Sequence, residues 1–155
     1  MIKLNILIPH YKEDFEIVKP LLDSIAIQQN VDFSEIQVII AEDKNSTPLI
    51  IPNIEYPFEI KFTNAEVPGV SAARNAALDA ATGEYVMFCD ADDMFYNACG
   101  LWMIFEEIKR GFDSLVSAFV EESRTPNGEI NYINHNIDST FVHGKVHRRQ
   151  YLIDN

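Results

Sequence analysis

Cysteine is nearly absent. Cys89 and Cys99 are the only two in 155 residues, and they form no Cys-x-x-Cys pair, so neither a disulfide framework nor a zinc site is indicated. A reducing compartment, and with it a cytoplasmic location, is the expectation. Basic residues are also scarce: 12 Lys+Arg stand against 24 Asp+Glu, a net charge of −12. Such a surface repels phosphate backbones and argues against sequence-independent nucleic-acid binding. No apolar run reaches transmembrane length, and no long apolar segment follows the N-terminus, so neither a span nor a signal peptide is read. Internal repeats and low-complexity tracts are absent. No Gly-x-Gly-x-x-Gly follows the first apolar run and no Gly-x-x-x-x-Gly-Lys-Ser/Thr occurs, which sets aside a dinucleotide fold of that type and a P-loop. What is present, 47% hydrophobic and 11% aromatic residues, suits a single domain over residues 1–155 with a real core.

The richest stretch is Tyr85-Val86-Met87-Phe88-Cys89-Asp90-Ala91-Asp92-Asp93. A short apolar run of strand character ends in three carboxylates within four residues. Carboxylates at the end of a buried strand repel one another and are costly to desolvate unless a positive charge lies among them. A divalent cation with oxygen ligands, Mg²⁺ or Mn²⁺ shared with a phosphorylated ligand, would supply it. A solvated acidic turn is the alternative, and these residues alone leave both open. The Gly and later Glu of an EF-hand loop are missing.

Strands and helices alternate along the chain. Asn5 to Ile8 reads as a buried strand stopped by Pro9. Phe15 to about Gln29 reads as a helix with Ile17, Leu21, Leu22 and Ile25 on its apolar face and Pro20 disturbing its first turns. Ile36 to Ala41 is a second strand, ending in Glu42-Asp43. Residues 44–57, broken by Pro48, Pro52 and Pro57, read as loop. Glu59 to Phe62 is a short strand, and Pro68-Gly69 opens an Ala-rich helix from Val70 to Ala81. After Tyr85 to Cys89 come an amphipathic helix from Leu101 to Arg110, a strand from Ser114 to Val120, a hairpin turn at Thr125-Pro126-Asn127-Gly128, a strand from Ile130 to Ile133 and a last helix from Arg148 to Ile153. This alternation predicts an α/β fold with a mainly parallel sheet flanked by helices. Ligands of such sheets bind beyond the carboxyl ends of the strands. Pro9-His10-Tyr11, Glu42-Asp43 and Asp90 to Asp93 all fall there, so three polar clusters converge on one edge.

Four blocks in order, Ile6-Leu7-Ile8-Pro9-His10-Tyr11, Val38-Ile39-Ile40-Ala41-Glu42-Asp43, Gly69-Val70-Ser71-Ala72-Ala73-Arg74-Asn75 and Gly83 through Asp93, resemble the N-terminal, nucleotide-sugar-binding part of a family 2 glycosyltransferase of the GT-A fold. The resemblance is close over residues 4–120 and looser beyond. It implies a Rossmann-like α/β domain, a nucleotide-diphosphate sugar donor, Mn²⁺ or Mg²⁺ as cofactor, inverting transfer, and a saccharide, lipid-linked or protein acceptor.

By that resemblance Asp43 hydrogen-bonds the nucleobase. A carboxylate there accepts from the ring N–H of uracil, which favours a UDP-sugar. Pro9, His10, Tyr11, Gly69, Arg74, Asp90 and Ala91 join it around the nucleotide. Asp92 binds the metal, Asp90 faces the ribose or supports the metal, and Asp93 orients the others or faces the sugar. Arg74 pairs with phosphate or with these carboxylates, since a guanidinium fork suits either. Asn75 is expected as a helix–strand tether. Lys44-Asn45-Ser46 departs from the family's Asp-Gly-Ser, and His10 stands where the family often has Thr, either lining the pocket or facing solvent. His135, His143 and His147 show no metal-ligand spacing. Gly144 to Arg149 resembles a Gly-Lys-Leu-Tyr-Arg-Arg stretch whose basic residues either reach phosphate or start a surface helix. Phe88, Phe95, Trp102 and Phe105 read as core.

In this family the acidic catalytic base lies shortly beyond the stretch matching Arg148 to Leu152, so the base is expected past Asn155, with residues 148–155 frayed and any membrane association carried by other segments. Two other function classes remain in view at this point. One is a non-enzymatic nucleotide-sugar-binding module. The other is a haloacid-dehalogenase-type phosphatase, which also places Asp-x-Asp after a strand, though after its first.

Overall fold

The structure, a computed structural model, describes residues 1–136 and 144–155. His143 lies outside the described residues. In chain order the elements are β1 (Leu4–His10), α1 (Phe15–Ala26), β2 (Ile36–Glu42), β3 (Glu59–Asn64), α2 (Val70–Ala80), β4 (Tyr85–Phe88), α3 (Gly100–Arg110), β5 (Ser114–Val116), β6 (Phe119–Arg124), β7 (Ile130–His135), β8 (Lys145–Arg148) and α4 (Arg149–Asp154). Every residue of β1, β2 and β4 is buried. That is why their sequences are mostly apolar, broken only at a few positions such as Asn5 and Gln37: a parallel strand covered on both faces has no polar side to show.

A six-stranded sheet runs β3-β2-β1-β4-β8-β5. β1 to β4 are mutually parallel, and β8 is antiparallel to both β4 and β5. Side chains alternate across it. Leu4, Ile6 and Ile8 face α1 and α3, meeting Leu21, Leu22, Ile25, Leu101 and Ile104. Leu7, Ile39, Val86 and Phe88 face α2 and pack on Ala73, Ala77 and Ala81. The small side chains of α2 let it lie close to the sheet, which explains the Ala-rich sequence.

One polar row crosses this apolar interior. Asn5 is fully buried. Its Oδ1 accepts the N–H groups of Thr82 at 3.1 Å and Gly83 at 2.6 Å, and its Nδ2 donates to Gln37 Oε1 at 2.9 Å. Gln37 Nε2 donates in turn to Glu59 Oε2 at 2.8 Å. The row joins β3, β2 and β1 to the turn that launches β4, and so sets where β4 and its acidic end lie.

Several expectations change. Pro9 lies inside β1 rather than stopping it. The carbonyls of Leu7 and His10 accept from Cys89 and Asp43 on opposite edges. Alternation therefore turns the Pro9 nitrogen toward β4, whose pairing with β1 ends at Leu7–Phe88, so no ladder bond is lost. The helix α1 continues through Pro20 and ends at Ala26, where Gln28 takes over: it donates to Ser24 and Asn97 carbonyls and accepts the Leu101 N–H, tying α1 to α3. The expected strand from Ser114 to Val120 is two strands, because Ser117-Ala118 carries the chain out of the main sheet into the separate β6–β7 hairpin. The stretch from Gly144 to Arg149, expected either to reach phosphate or to start a surface helix, forms the strand β8 over Lys145–Arg148, hidden because only Val146 of its four residues is fully buried. Trp102 is 40% exposed rather than core, whereas Phe88 and Phe105 are buried. Among the described residues no helix is long and apolar enough to cross a membrane.

Candidate functional site

The chain moves outward from β1 to β2 and β3, then returns to lay β4 on the other side of β1. The crevice between the carboxyl ends of β1 and β4 is thus the point where strand order reverses, the usual ligand position in open α/β sheets. A cleft of about 650 Å³ opens there. The end of β1 contributes Pro9, His10 and Tyr11, and the residue after β2 contributes Asp43. The start of α2 brings Gly69 and Arg74, and the loop after β4 brings Asp90, Ala91 and Asp92. All the expected nucleotide positions therefore meet on one cavity. Asp93 does not line it.

Asp43 stitches three loops together. Its Oδ1 accepts the Asn45 N–H at 2.8 Å and its Oδ2 accepts the Gly69 N–H. These donors, the Asn45 bond first, hold its carboxyl below the usual carboxylate range. Gly69 has φ 116°, a left-handed conformation that only glycine adopts without strain, and α2 begins at the next residue. The first turn of a helix leaves N–H groups without intrahelical partners, so this end of α2 offers the cleft a positive, anion-accepting edge. Glu42, hard to place from sequence, is structural: buried, it accepts the Leu49 N–H at 2.7 Å and pins the loop that follows β2.

His10 is 1% exposed, which rules out a solvent-facing turn. Its Nε2 donates to the Glu13 carbonyl at 2.9 Å and its Nδ1 lies 3.3 Å from Ser46 Oγ. Ser46 Oγ also accepts the Lys12 N–H at 2.9 Å, and Lys12 sits at φ 65°. The sharp bend leaves Tyr11 half-exposed at the cleft's lip, with its N–H on Glu13 Oε2 at 2.6 Å.

At the acidic end, Arg74 Nη2 donates to Asp90 Oδ1 at 2.7 Å. Asp93 accepts the Asp90 N–H at 3.2 Å and returns its own N–H to the Asp90 carbonyl at 3.0 Å. Part of the carboxylate repulsion is thus answered by Arg74, one of the two partners expected for it, and by a tight turn. Asp92 is exposed and lines the cleft. No three His, Cys, Asp or Glu side chains among the described residues converge into a cage. The donor set still fits Mg²⁺ or Mn²⁺, which bind through one or two carboxylates and complete their shell with ligand phosphate and water. The Arg74 Nε, buried and without a hydrogen-bond partner, is a donor left over for an anion. Cys89 is buried, and burial, then Asp93 and Asp90, push its thiol far up, so it is an inert core residue.

Sequence reasoning missed Glu13, Ile17, Asn45, Val70 and Ala73 in the cleft wall. Ile17 was placed on the apolar face of α1, but Val18 fills that place and Ile17 stays 47% exposed over the cleft. Asn75 is exposed on α2, bordering a separate groove against β3, and is no tether. Arg148 and Arg149 are at the wrong end of the sheet for phosphate. Arg148 pairs with Tyr85 at the start of β4 and its Nε donates to the Phe112 carbonyl at 3.2 Å. The Arg149 N–H goes to the Glu84 carbonyl at 2.9 Å.

The family model described as glycosyl transferase family 2 matches residues 5–152. The chain belongs to this family. The minor teichoic acid biosynthesis protein GgaB of Bacillus subtilis (strain 168) is 30% identical over 149 residues, 85% of this chain and 16% of that protein. The poly(ribitol-phosphate) β-N-acetylglucosaminyltransferase TarS of Staphylococcus aureus is 30% identical over 97 residues, 60% of this chain and 17% of TarS. Among solved structures, S. aureus TarS 1–349 in complex with UDP superposes with TM-score 0.73 at 24% identity, covering 99% of this chain and 49% of that one. The mannosyltransferase PcManGT from Pyrobaculum calidifontis, in complex with GDP-Man and Mn²⁺, gives 0.59 at 18% identity over 81% of this chain and 36% of its own. These two likenesses are of fold, and they bear out the GT-A architecture with its mostly parallel sheet. The chain spans about a sixth of GgaB and TarS and about half of the TarS 1–349 structure. Membership in this family, and an Asp-x-Asp after β4 rather than after the first strand, set the phosphatase aside.

Proposed function

We propose that this family 2 chain carries the donor site of a glycosyltransferase, that its cleft holds a UDP-sugar, and that transfer to a saccharide, lipid-linked or protein acceptor proceeds with inversion. The observation that carries the reading is the convergence on one cleft, at the reversal of strand order, of a carboxylate held ionised, a helix N-terminus, an arginine and an exposed aspartate. Each suits a different part of one ligand. Asp43, kept charged by two N–H donors, retains lone pairs for the ring N–H of a pyrimidine. Tyr11 offers an aromatic face at the lip. Gly69 and the first turn of α2 meet the diphosphate, where oriented N–H groups favour negative charge. Arg74 holds Asp90 toward the ribose side and keeps an unused Nε for phosphate.

Asp92, with Asp90 beside it, would hold Mg²⁺ or Mn²⁺. Bound there, such an ion supplies positive charge against the diphosphate that departs. The relatives support a nucleotide-sugar donor: TarS has been solved with UDP and with UDP-GlcNAc. The Asp43 assignment is tested by calorimetry with UDP and ADP. UDP is expected to bind and ADP to bind at least tenfold more weakly. The Asp43→Asn variant should lose about one to two orders of magnitude for UDP, the scale of a hydrogen bond to a charged group. Equal affinity for the two nucleotides contradicts it. A non-enzymatic binding module would show the same affinities but release no UDP from a UDP-sugar over hours.

A further inference from the structure

The register of β8 brings a lysine to the carboxyl end of β4. β8 runs antiparallel to β4, with Val146 opposite Met87, His147 opposite Val86 and Arg148 opposite Tyr85. Its first residue, Lys145, is therefore level with Phe88, two residues before Asp90, while Arg148 is carried to the opposite edge, roughly 10 Å away at strand rise. The Gly144 N–H donates to the Phe88 carbonyl at 3.0 Å, which fastens this end of β8 to the end of β4. Gly144 has φ 73°, a turn that delivers the chain to that point.

Alternation decides the side. Val146 is fully buried on the face toward α1 and α3. Lys145 and His147 then face the α2 side, with Phe88 and Val86. The electrostatics agree, since Lys145 is the charge that, after burial, depresses His147. The α2 side is also where Arg74 reaches Asp90. Lys145 is half-buried there, so its stem is packed and its reach is short.

We infer that Lys145 is a phosphate-binding residue of the donor site, a second cation that approaches the diphosphate from the β8 side and complements Arg74. The inference rests on the cleft being a nucleotide-diphosphate site. A chain of net charge −12 needs local cations to admit a dianionic leaving group, and Arg74 has spent one of its nitrogens on Asp90.

The test is calorimetry with uridine, UMP and UDP at fixed Mg²⁺, on wild type and Lys145→Gln. Lys145→Gln should weaken UDP by about tenfold or more, UMP by less, and uridine by under twofold. If wild type binds no UDP, the donor reading and this inference both fall. If wild type binds UDP and Lys145→Gln binds it equally, or loses uridine and UDP in equal proportion, the donor reading stands and Lys145 has only a structural role. Should the Gln variant not fold, wild type carries the test by NMR of ¹³C-methylated lysines, with the Lys145 signal assigned by its loss in Lys145→Arg. That signal must shift on adding UDP and stay still on adding uridine; no shift with UDP overturns the inference.

Discussion

Replacing Asn5 by alanine is expected to be among the most damaging single changes outside the apolar core. The side chain is fully buried and makes three hydrogen bonds. Alanine would leave the N–H groups of Thr82 and Gly83 without a partner, in a space too tight for water to enter freely. The crowding shows at Gly83, where an added Cβ would lie 3.2 Å from both the Lys3 carbonyl and Ile2 Cγ2, atoms that stay in the variant. An orphaned buried donor costs about 1–3 kcal/mol, so two cost about 2–6 kcal/mol. Domains of this size are stable by only about 5–15 kcal/mol, so Asn5→Ala should lose a large share of its stability. Urea unfolding followed by far-ultraviolet circular dichroism measures it. Gln37→Leu is the control: it takes away the partner of Asn5 Nδ2 and the donor to Glu59 Oε2, keeps the turn satisfied, and should lose about 1–3 kcal/mol. Because the Thr82-Gly83 turn launches β4, the folded fraction of Asn5→Ala should also bind UDP more weakly. A loss below about 1 kcal/mol in Asn5→Ala would refute the claim that this polar row sets the sheet.

Other outcomes follow from single features. Gly69→Ala meets no steric neighbour within 4 Å but must adopt φ 116°, so it should cost about 1–3 kcal/mol by urea unfolding and weaken UDP in calorimetry; unchanged stability would show the turn relaxes freely. Tyr56 is pushed up to about 12 by burial first and then by Asp23, to which it donates at 3.2 Å. The folded state therefore keeps a proton that the unfolded state gives up above about pH 10, so this contribution is fully present below that pH and is lost as pH rises to about 12. Urea midpoints should fall over that window in wild type and fall less in Tyr56→Phe.

Much of the site was legible because its residues stand at strand ends, and strand ends are visible wherever a buried apolar run stops. Asp43 follows Ala41-Glu42, and Asp90 follows Cys89; both lie where the alternation placed them. What stayed hidden depends on three-dimensional register. β8 has a single fully buried side chain, too little for a pattern, yet its antiparallel pairing decides that Lys145 and not Arg148 stands toward the carboxyl end of β4. Ile17 and Val18 both fit the periodicity of α1, and only packing selects Val18. The sequence leaves Arg74 open to phosphate or to the acidic cluster, and only the structure, across 16 residues, selects Asp90 as its partner. Asn5 reads as an ordinary start to a strand until its three partners are seen.

The central claim is that Asp92, with Asp90, holds a divalent cation jointly with the diphosphate of a uridine nucleotide. Thermal unfolding with UDP, with Mn²⁺, with both, and with UDP plus chelator tests it most directly. Saturating a native-state site at a hundred times its dissociation constant adds about 2.7 kcal/mol of stability, which for a chain of this length raises the melting temperature by about 5–10 °C. UDP and Mn²⁺ together should give that shift, each alone should give little, and Asp92→Asn should abolish the excess of the pair over its parts. An equal shift for UDP with Mn²⁺ and with chelator, or full synergy in Asp92→Asn, would contradict the claim.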